Sequence, residues 1–370
     1  MAQRPSLWGD QGAGGEVAHD LSDDPAALEL AAAVAGSAIG EYEAMDGAHI
    51  ELLNVSENAT YLVRPKGTAP KVMRVHRQDY HTEVEIASEL AWATALSAQE
   101  GVHTPSALPN RHGRCVTNVV DGAGHLRHCV LFDFIDGVEA DPEDATEGFV
   151  LLGELTARMH RHAREWRRPS WFRRFRWDFD AAFGREVRWG SWRNGIGVGV
   201  EEVGVLSRLE ERLADRLHAF GMGPERFGLV HADMRLANLL WKSPGQVAVI
   251  DFDDCGFSWF LYDLGTSLSF IEDHPQVPAL VDAWLRGYRS VAHLPQDDEA
   301  EIWTFILFRR LLLLAWIGSH QAADIARELG PVYAKGTCDL AERYLTANGA
   351  RSRPWPRAKP ARLPDRWAGL

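Results

Sequence analysis

The spacing of the hydrophobic positions divides the chain into a strand-rich first part and a mainly helical second part. Period-two runs bounded by turn residues predict three strands near the start, residues 49–55, 59–64 and 71–76. A helical segment, residues 83–96, and a buried strand, residues 128–134, come next. Beyond them the pattern predicts five helices, at residues 149–164, 201–220, 277–291, 301–320 and 331–346. Two short apolar strands, residues 239–241 and 247–252, interrupt these helices. This order predicts an α+β protein in which a small strand-rich lobe precedes a larger, mainly helical lobe.

The two ends of the chain differ in composition from the part between them. Residues 1–26 are rich in Gly, Asp and Ala and predict a flexible leader, with a helix opening at Pro25. Residues 349–370 are rich in Pro and Arg and predict an irregular tail. Between them we expect two lobes, residues 27–132 and 133–348, joined near residues 134–137.

Composition and charge narrow the class of protein. Of the 370 residues, 46% are hydrophobic and 25% are charged, as in soluble globular proteins. The net charge of −13 disfavours a nucleic-acid partner and is compatible with a cationic substrate. Four cysteines without a CxxC pair argue against a zinc site or a disulfide framework and fit a reducing cytoplasm. The most apolar stretch, residues 302–317, is too short to span a membrane, and no pattern indicates an oligomeric state.

One polar loop between two apolar, strand-like runs carries the candidate chemistry. It contains His231, Asp233 and Asn238, and the second run ends in a carboxylate cluster that starts at Asp251. Phosphoryl transfer requires an oriented acceptor and oxygen ligands for a metal, with little covalent help from the protein. Asp233 can orient a hydroxyl and accept its proton, while Asn238 and Asp251 offer the oxygen ligands that Mg²⁺ prefers. These residue types predict transfer of a phosphate to a hydroxyl group.

The pattern HxDxxxxN followed by IDFDD resembles the signature of the aminoglycoside phosphotransferase and choline kinase superfamily. The resemblance covers roughly residues 50–345 and is nearest to the branch of the type II homoserine kinases and the bacterial stress-response kinase. It implies a two-lobed protein-kinase-like fold, with the nucleotide between the lobes and the acceptor on the helical lobe. It also implies Mg²⁺ as cofactor and ATP or GTP as phosphate donor, and it matches Asp263 to an aspartate that braces the catalytic loop.

The resemblance implies a role for each polar residue of the loop. Asp233 matches the catalytic aspartate that positions the acceptor hydroxyl, and Asn238 and Asp251 match the metal ligands. His231 would support the loop rather than react. Arg235 stands where eukaryotic kinases carry a lysine near the γ-phosphate, which is compatible with stabilisation of developing charge.

The strand-rich lobe resembles the family less closely. The segment with Ser56 and Asn58 lies where a nucleotide-covering loop is expected, but it has no GxGxxG pattern. Arg74 stands where a phosphate-gripping lysine is usual, and it can hold the α- and β-phosphates as a fork. We expect its ion-pair partner on the following helix, with Glu89 favoured and Glu85 as the alternative.

Other positions are less informative. The main-chain groups of Asp133 and Ile135 are expected to form the hinge that meets the purine, which leaves ATP and GTP equally open. Asp253 and Asp254 fit either a structural role or a second metal role. The Trp-rich stretch, residues 166–192, is expected to pack in the core rather than to bind a substrate.

Three functions remain open from the sequence. The favoured one is an O-phosphotransferase acting on a small molecule, such as an antibiotic, an amino acid or a nucleoside-type acceptor. The second is a protein serine/threonine kinase, which Arg235 favours slightly. The third is a nucleotide-binding scaffold without activity, suggested by arginine in place of lysine at Arg74.

Overall fold

A computed structural model describes residues 25–55, 58–138, 145–185, 187–243, 246–321 and 323–347. The strand-rich lobe consists of a five-stranded antiparallel sheet between helix α1, Pro25–Ile39, and helix α2, Glu83–Glu100. The strands are β1 His49–Val55, β2 Ala59–Arg64, β3 Lys71–Val75, β4 Val116–Val120 and β5 Leu126–Asp133. They lie in the order β1-β2-β3-β5-β4.

The alternation of side chains along β5 explains how the sheet packs against both helices. Cys129 and Leu131 pack in the cluster that contains the buried face of α1, whereas Val130 and Phe132 pack in the cluster that contains Ile86 of α2. Successive side chains of a strand point to opposite faces, so one buried apolar strand serves both layers. The position of α2 against β3 matters for function, because both elements carry candidate site residues.

The helical lobe contains eight helices and two short ladders among its described residues. The helices are α3 Ala145–Glu165, α4 Phe179–Phe183, α5 Val200–Phe220, α6 Tyr262–Ser267, α7 Val277–Val291, α8 Gln296–Glu299, α9 Ile302–Ser319 and α10 Asp324–Thr346. Strand β6, Phe227–Val230, pairs with β9, Gly256–Trp259, and β7, Leu239–Ser243, pairs with β8, Gln246–Val249. The predicted two-lobed α+β architecture is confirmed.

Several element boundaries differ from the sequence-based prediction. Strands β4 and β9 were not predicted, because four or five residues carry too short a pattern to distinguish a strand from a loop. Helix α10 begins at Asp324 rather than at residue 331, and Gly330 leaves helical geometry in front of Pro331. The proline therefore marks a kink within this helix instead of its start.

Helix α9 forms the centre of the helical lobe. Together with α8 it forms the segment Gln296–Ser319, which is longer than the stretch 302–317 and is long and apolar enough to cross a membrane. However, 83% of its 18 most apolar consecutive residues are buried inside the protein. Arg309 and Arg310 are both buried on this helix. Arg310 contacts Glu272 at 2.9 Å between Nη1 and Oε2, and the Tyr333 hydroxyl donates to the same carboxylate. The buried guanidinium of Arg310 therefore has a hydrogen-bond acceptor within the protein, the Glu272 carboxylate.

Replacing Glu272 with Gln is expected to lower the free energy of unfolding by about 3 kcal/mol, because the buried Arg310 guanidinium loses its charged partner. Asp273 also contacts Arg310, at 3.3 Å, but its side chain is 47% exposed. The matched change Asp273→Asn should therefore cost less than about 1 kcal/mol. Urea denaturation of both variants measures the difference, and equal midpoints would contradict this account of Glu272.

Candidate active site

The loop after β6 is held in a strained conformation by a buried carboxylate. Ala232 adopts a left-handed backbone, with φ of 66°. Asp263, in the first turn of α6, accepts hydrogen bonds from the main-chain N–H of Ala232 at 2.7 Å and of His231 at 3.2 Å. His160 of α3 contacts the same carboxylate at 2.9 Å. A strained conformation persists where surrounding groups determine it, and Asp263 supplies that restraint here.

The buried side chain of His231 connects the loop after β6 with the loop after β8. Its Nε2 donates to the main-chain oxygen of Ile250 at 3.1 Å, and its Nδ1 accepts from the N–H of Asp233 at 3.3 Å. Both ring nitrogens are therefore occupied by main-chain groups. The geometry supports a role in holding the loop, as the resemblance implies.

Asp233 lies among three side chains that favour its charged form. Arg235 contacts its carboxylate at 3.1 Å, Arg309 at 3.4 Å, and the side-chain nitrogen of Asn238 donates to it at 2.9 Å. Burial alone would raise the pKa of Asp233, but the two arginines outweigh it and hold this pKa below its usual value. Asp233 is therefore a carboxylate at neutral pH and can accept a hydrogen bond from an acceptor hydroxyl.

Arg309 is a site residue that the sequence did not reveal. Its Nη1 donates to the hydroxyl of Tyr262 at 3.0 Å, and its Nε donates to Ser269 at 3.0 Å. These bonds aim the remaining nitrogen at Asp233. The signal that the sequence offers is an arginine within a predicted apolar helix. A charge that is buried in a core requires a specific partner, so such an arginine indicates a buried contact.

Asn238 and Asp251 offer oxygen atoms of the kind that bind Mg²⁺. The side-chain nitrogen of Asn238 donates to the main-chain oxygen of Asp233 at 2.8 Å, so the amide oxygen is the ligand that Asn238 can offer. Asp251 lies two residues after β8 with φ of 60°, and its side chain is 45% exposed. Within the described residues no three His, Cys, Asp or Glu side chains form a metal cage. A phosphate-bound Mg²⁺ needs only one or two protein ligands, so the donor set fits this ion.

The guanidinium of Arg74 connects the two lobes. Its Nη1 contacts Glu89 of α2 at 3.0 Å, and its Nη2 contacts Asp251 at 3.0 Å. Asp253 lies 3.6 Å from Nη1. Burial would lower the pKa of Arg74, but the three carboxylates raise it above its usual value, so the fork stays charged. The ion pair expected between Arg74 and Glu89 is present in the structure.

Glu85 has a different task from Glu89. Its carboxylate accepts from the main-chain N–H of Thr82, and the Thr82 hydroxyl accepts from the N–H of Glu85, which forms a capping box at the start of α2. Glu85 thus stabilises the helix end, and Glu89, one turn later, meets Arg74. The alternative pairing of Glu85 with Arg74 does not form.

Replacing Glu89 with Ala is expected to raise the apparent KM for nucleotide and to lower the rate, because Arg74 loses the partner that orients it. Combining it with Arg74→Ala should cost less than the sum of the two single changes. Glu85→Ala should instead lower stability by about 1 kcal/mol through loss of the cap and leave the KM unchanged. Steady-state kinetics with thermal unfolding measure both effects, and a KM that responds equally to both changes would contradict the assignment.

Asp253 has a structural environment. It is buried, and His76 and His81 each approach its carboxylate at 3.4 Å. Burial lowers the pKa of His76 to about 4, so this ring is neutral at pH 7. Asp253 therefore contacts side chains of the strand-rich lobe. Asp254 accepts a hydrogen bond from the Tyr80 hydroxyl at 3.0 Å.

Four other residues were predicted to contact the nucleotide: Ser56, Asn58, Asp133 and Ile135. Ser56 lies outside the described residues. The side-chain oxygen of Asn58 accepts from the main-chain N–H of Arg77 at 3.0 Å, which ties β2 to the segment after β3. Asp133 ends β5, where its carboxylate contacts Lys71 at 2.9 Å and its main-chain N–H donates to Ser106. Ile135 lies in the extended connection that follows, half-buried. Nucleotide contacts by these residues stay predictions.

The fold and the site together define a kinase-like phosphotransferase. The chain belongs to the phosphotransferase enzyme family named APH, which matches residues 49–300. The predicted superfamily and the predicted enzyme class, a kinase acting on a small-molecule alcohol, are confirmed.

Three known proteins show the extent of the similarity. The structure of a microcompartment-associated aminopropanol kinase is 44% identical, covers 86% of this chain and 99% of that chain, and superimposes with a TM-score of 0.81. Amicoumacin kinase of Bacillus subtilis (strain 168) is 25% identical over 288 residues, which are 75% of this chain and 81% of that protein. The amicoumacin kinase hAmiN, solved with AMP-PNP, Ca²⁺ and Ami, is 20% identical, covers 86% of this chain and 93% of that chain, and has a TM-score of 0.68. This last likeness shows the shared fold.

Proposed function

We propose that this enzyme transfers the γ-phosphate of ATP or GTP, bound with Mg²⁺, to the hydroxyl of a small amino alcohol. The observation that carries the proposal is the Asp233 carboxylate, 2.9 Å from the side-chain nitrogen of Asn238, together with the contact between Arg74 and Asp251 at 3.0 Å. The acceptor class rests on the 44% identity to an aminopropanol kinase along almost all of that protein. The net charge of −13 is compatible with an acceptor that carries an ammonium group.

In this proposal, residues of the protein position the acceptor hydroxyl and stabilise the negative charge of the phosphates. Asp233 would accept a hydrogen bond from the acceptor hydroxyl, orient it toward the γ-phosphorus and take its proton as the new ester bond forms. The bond between the γ-phosphorus and the bridging oxygen would break in the same transfer, and the nucleoside diphosphate would leave with that oxygen. Arg235 and Arg309 keep this carboxylate ionised until the transfer. Arg74 would hold the α- and β-phosphates as a fork. Asn238 and Asp251 would hold Mg²⁺, which neutralises charge on the phosphates.

The proposal also assigns a task to each part of the chain. Residues 27–132 would cover the nucleotide, and residues 133–348 would carry the catalytic loop, the metal ligands and the acceptor. The four cysteines are free and fit a reducing compartment, so we propose a cytoplasmic enzyme. The contact of Arg74 with Glu89 at 3.0 Å shows that arginine can form the ion pair, which weakens the case for an inactive scaffold.

A coupled nucleotide-consumption assay with a panel of acceptors tests the proposal. The panel contains 1-amino-2-propanol, ethanolamine, choline, homoserine, an aminoglycoside and a serine-containing protein, each with ATP and with GTP and with or without Mg²⁺. We expect Mg²⁺-dependent turnover that is highest with the short amino alcohols. Highest turnover with the protein or with the aminoglycoside would contradict the acceptor class, and absence of turnover with every acceptor would favour the scaffold.

A further inference from the structure

One buried arginine from the Trp-rich stretch reaches both sides of the candidate site. The side chain of Arg174 is 7% exposed. Its Nε donates to the main-chain oxygen of Cys255 at 2.5 Å, and its Nη2 donates to the main-chain oxygen of Asp253. Its Nη1 donates to the main-chain oxygen of Glu85 in α2, at 3.2 Å. The three acceptors belong to two elements that are far apart in sequence.

These two elements carry the partners of Arg74. Glu85 lies one helical turn before Glu89, and Asp253 lies two residues after Asp251. Arg74 contacts Glu89 at 3.0 Å and Asp251 at 3.0 Å, so its guanidinium bridges the two elements through their side-chain carboxylates. The guanidinium of Arg174 bridges the same two elements through their main-chain oxygens. The fork of a guanidinium is rigid, and its bonds fix relative positions more tightly than one ammonium group does.

Neighbours of Arg174 attach the same stretch to the same two elements. The main-chain N–H of Arg173 donates to the Ser88 hydroxyl of α2 at 2.9 Å. The Trp177 indole donates to the main-chain oxygen of Asp254 at 2.8 Å, and the main chains of Trp177 and Phe257 are hydrogen-bonded at 2.8 Å. The stretch thus contacts α2 on one side and residues 253–257 on the other.

The positive charge of Arg174 also affects the ionisation of Glu89. Burial alone would lower its pKa, but Cys255, Glu89 and Asp253 raise it, so the guanidinium stays protonated. Burial raises the pKa of Glu89 to about 7, although Arg74 and, to a lesser extent, Arg174 lower it. Arg174 therefore favours the ionised form of Glu89 that pairs with Arg74.

We propose that Arg174 is a positioning residue for phosphotransfer, which holds α2 and the segment after Asp251 at the separation that the Arg74 ion pairs require. It acts through Glu89 and Arg74 and does not itself contact the nucleotide. This inference rests on the proposed function, because it concerns the nucleotide side of the same site. It assigns the Trp-rich stretch a task beyond packing, since its residues 173–177 link the two lobes.

The test compares Arg174→Lys with wild type for nucleotide affinity by calorimetry and for kcat/KM. One ammonium group cannot reach carbonyls in two elements, so we expect nucleotide kcat/KM to fall roughly 10- to 100-fold, as for a small misplacement of a reacting group. In the background of Glu89→Gln the same change should cost less than about 3-fold, because residues that act as a unit are not additive. A fully additive result would overturn the proposal.

Arg226→Lys is the matched control. Arg226 also donates to a main-chain oxygen, that of Phe220, and it pairs with Asp298 of α8. We expect this variant to lose thermal stability and to keep wild-type kcat/KM. If Arg174→Lys shows only the same loss of stability, with wild-type affinity and kcat/KM, Arg174 is merely structural and the proposal is wrong.

Two further readouts keep the test decisive. If Arg174→Lys does not fold, Ser88→Ala removes the acceptor of the Arg173 N–H, and we expect a nucleotide KM raised about 3-fold in the wild-type background but not with Glu89→Gln. An unchanged KM would overturn the proposal.

Wild type is measured in parallel, so absence of turnover there contradicts the proposed function, while the calorimetric comparison of nucleotide affinity still decides the role of Arg174.

Discussion

Replacing Asp233 with Asn is expected to reduce turnover about 10²-fold or more, the scale for removal of a general base. The amide keeps the size of the side chain but cannot take the proton of the acceptor hydroxyl. It also weakens the attraction to Arg235 and Arg309, which contact the carboxylate at 3.1 and 3.4 Å. Because Asp233 does not hold the phosphates in this account, nucleotide affinity should stay within a few-fold of wild type.

Steady-state kinetics and calorimetry on the same preparation check this expectation. The loss should appear in kcat rather than in the KM for nucleotide, since the missing interaction belongs to the transition state. Turnover within a few-fold of wild type would show that Asp233 is not the catalytic group. A parallel loss of nucleotide binding would place Asp233 at the phosphates instead of at the acceptor.

Replacing Asp251 with Ala is expected to abolish the effect of Mg²⁺ on nucleotide binding together with turnover. In wild type, Mg²⁺ should tighten the binding of ATP, because Asp251 would help to hold the ion, which would neutralise charge on the phosphates. In the variant, the affinity with Mg²⁺ should equal the affinity measured in EDTA. Arg74 keeps its contact with Glu89 at 3.0 Å, so some affinity for the phosphates should remain.

Calorimetric titration of ATP with and without Mg²⁺ measures this difference directly. Asn238→Ala should act in the same direction but less completely, since an amide oxygen is a weaker ligand for a hard cation than a carboxylate. Normal Mg²⁺-dependent binding by Asp251→Ala would show that the metal assignment is wrong. The two variants together rank the contributions of the two proposed ligands.

The fold was predictable where the hydrophobic pattern is long or strongly alternating. Strands β1 and β2 and helix α7 have the bounds that the pattern predicts. Strands β4 and β9 are too short to carry such a signal and form through pairing with β5 and β6. Pairing of distant segments is a property of the folded chain, and a local pattern does not contain it.

The candidate site was predictable where its residues share one motif. His231, Asp233 and Asn238 lie within eight consecutive positions, so the spacing alone places them on one loop. Arg309 and Arg174 reach the site from 76 and 79 residues away, to Asp233 and Asp253. No periodicity connects such positions. Their only signals were charges within apolar or aromatic stretches, which indicate a buried partner without naming it.

The role of the Trp-rich stretch could be predicted only in part. Trp177, Trp189 and Trp192 are buried, in accord with the prediction of core packing. The link that residues 173–177 make between α2 and the segment after Asp251 depends mainly on main-chain acceptors. Any residue type supplies a main-chain carbonyl, so the sequence does not indicate which ones an arginine will reach.

The most direct test of the central claim is the identity of the phosphorylated product. Wild-type protein, ATP, Mg²⁺ and 1-amino-2-propanol are mixed, and phosphorus NMR follows the reaction. We expect a new phosphate monoester of the amino alcohol to grow in equal amount with ADP, with Asp233→Asn showing almost none. Formation of inorganic phosphate alone, or of phosphoprotein without the monoester, would contradict the proposal that this chain is an amino-alcohol kinase.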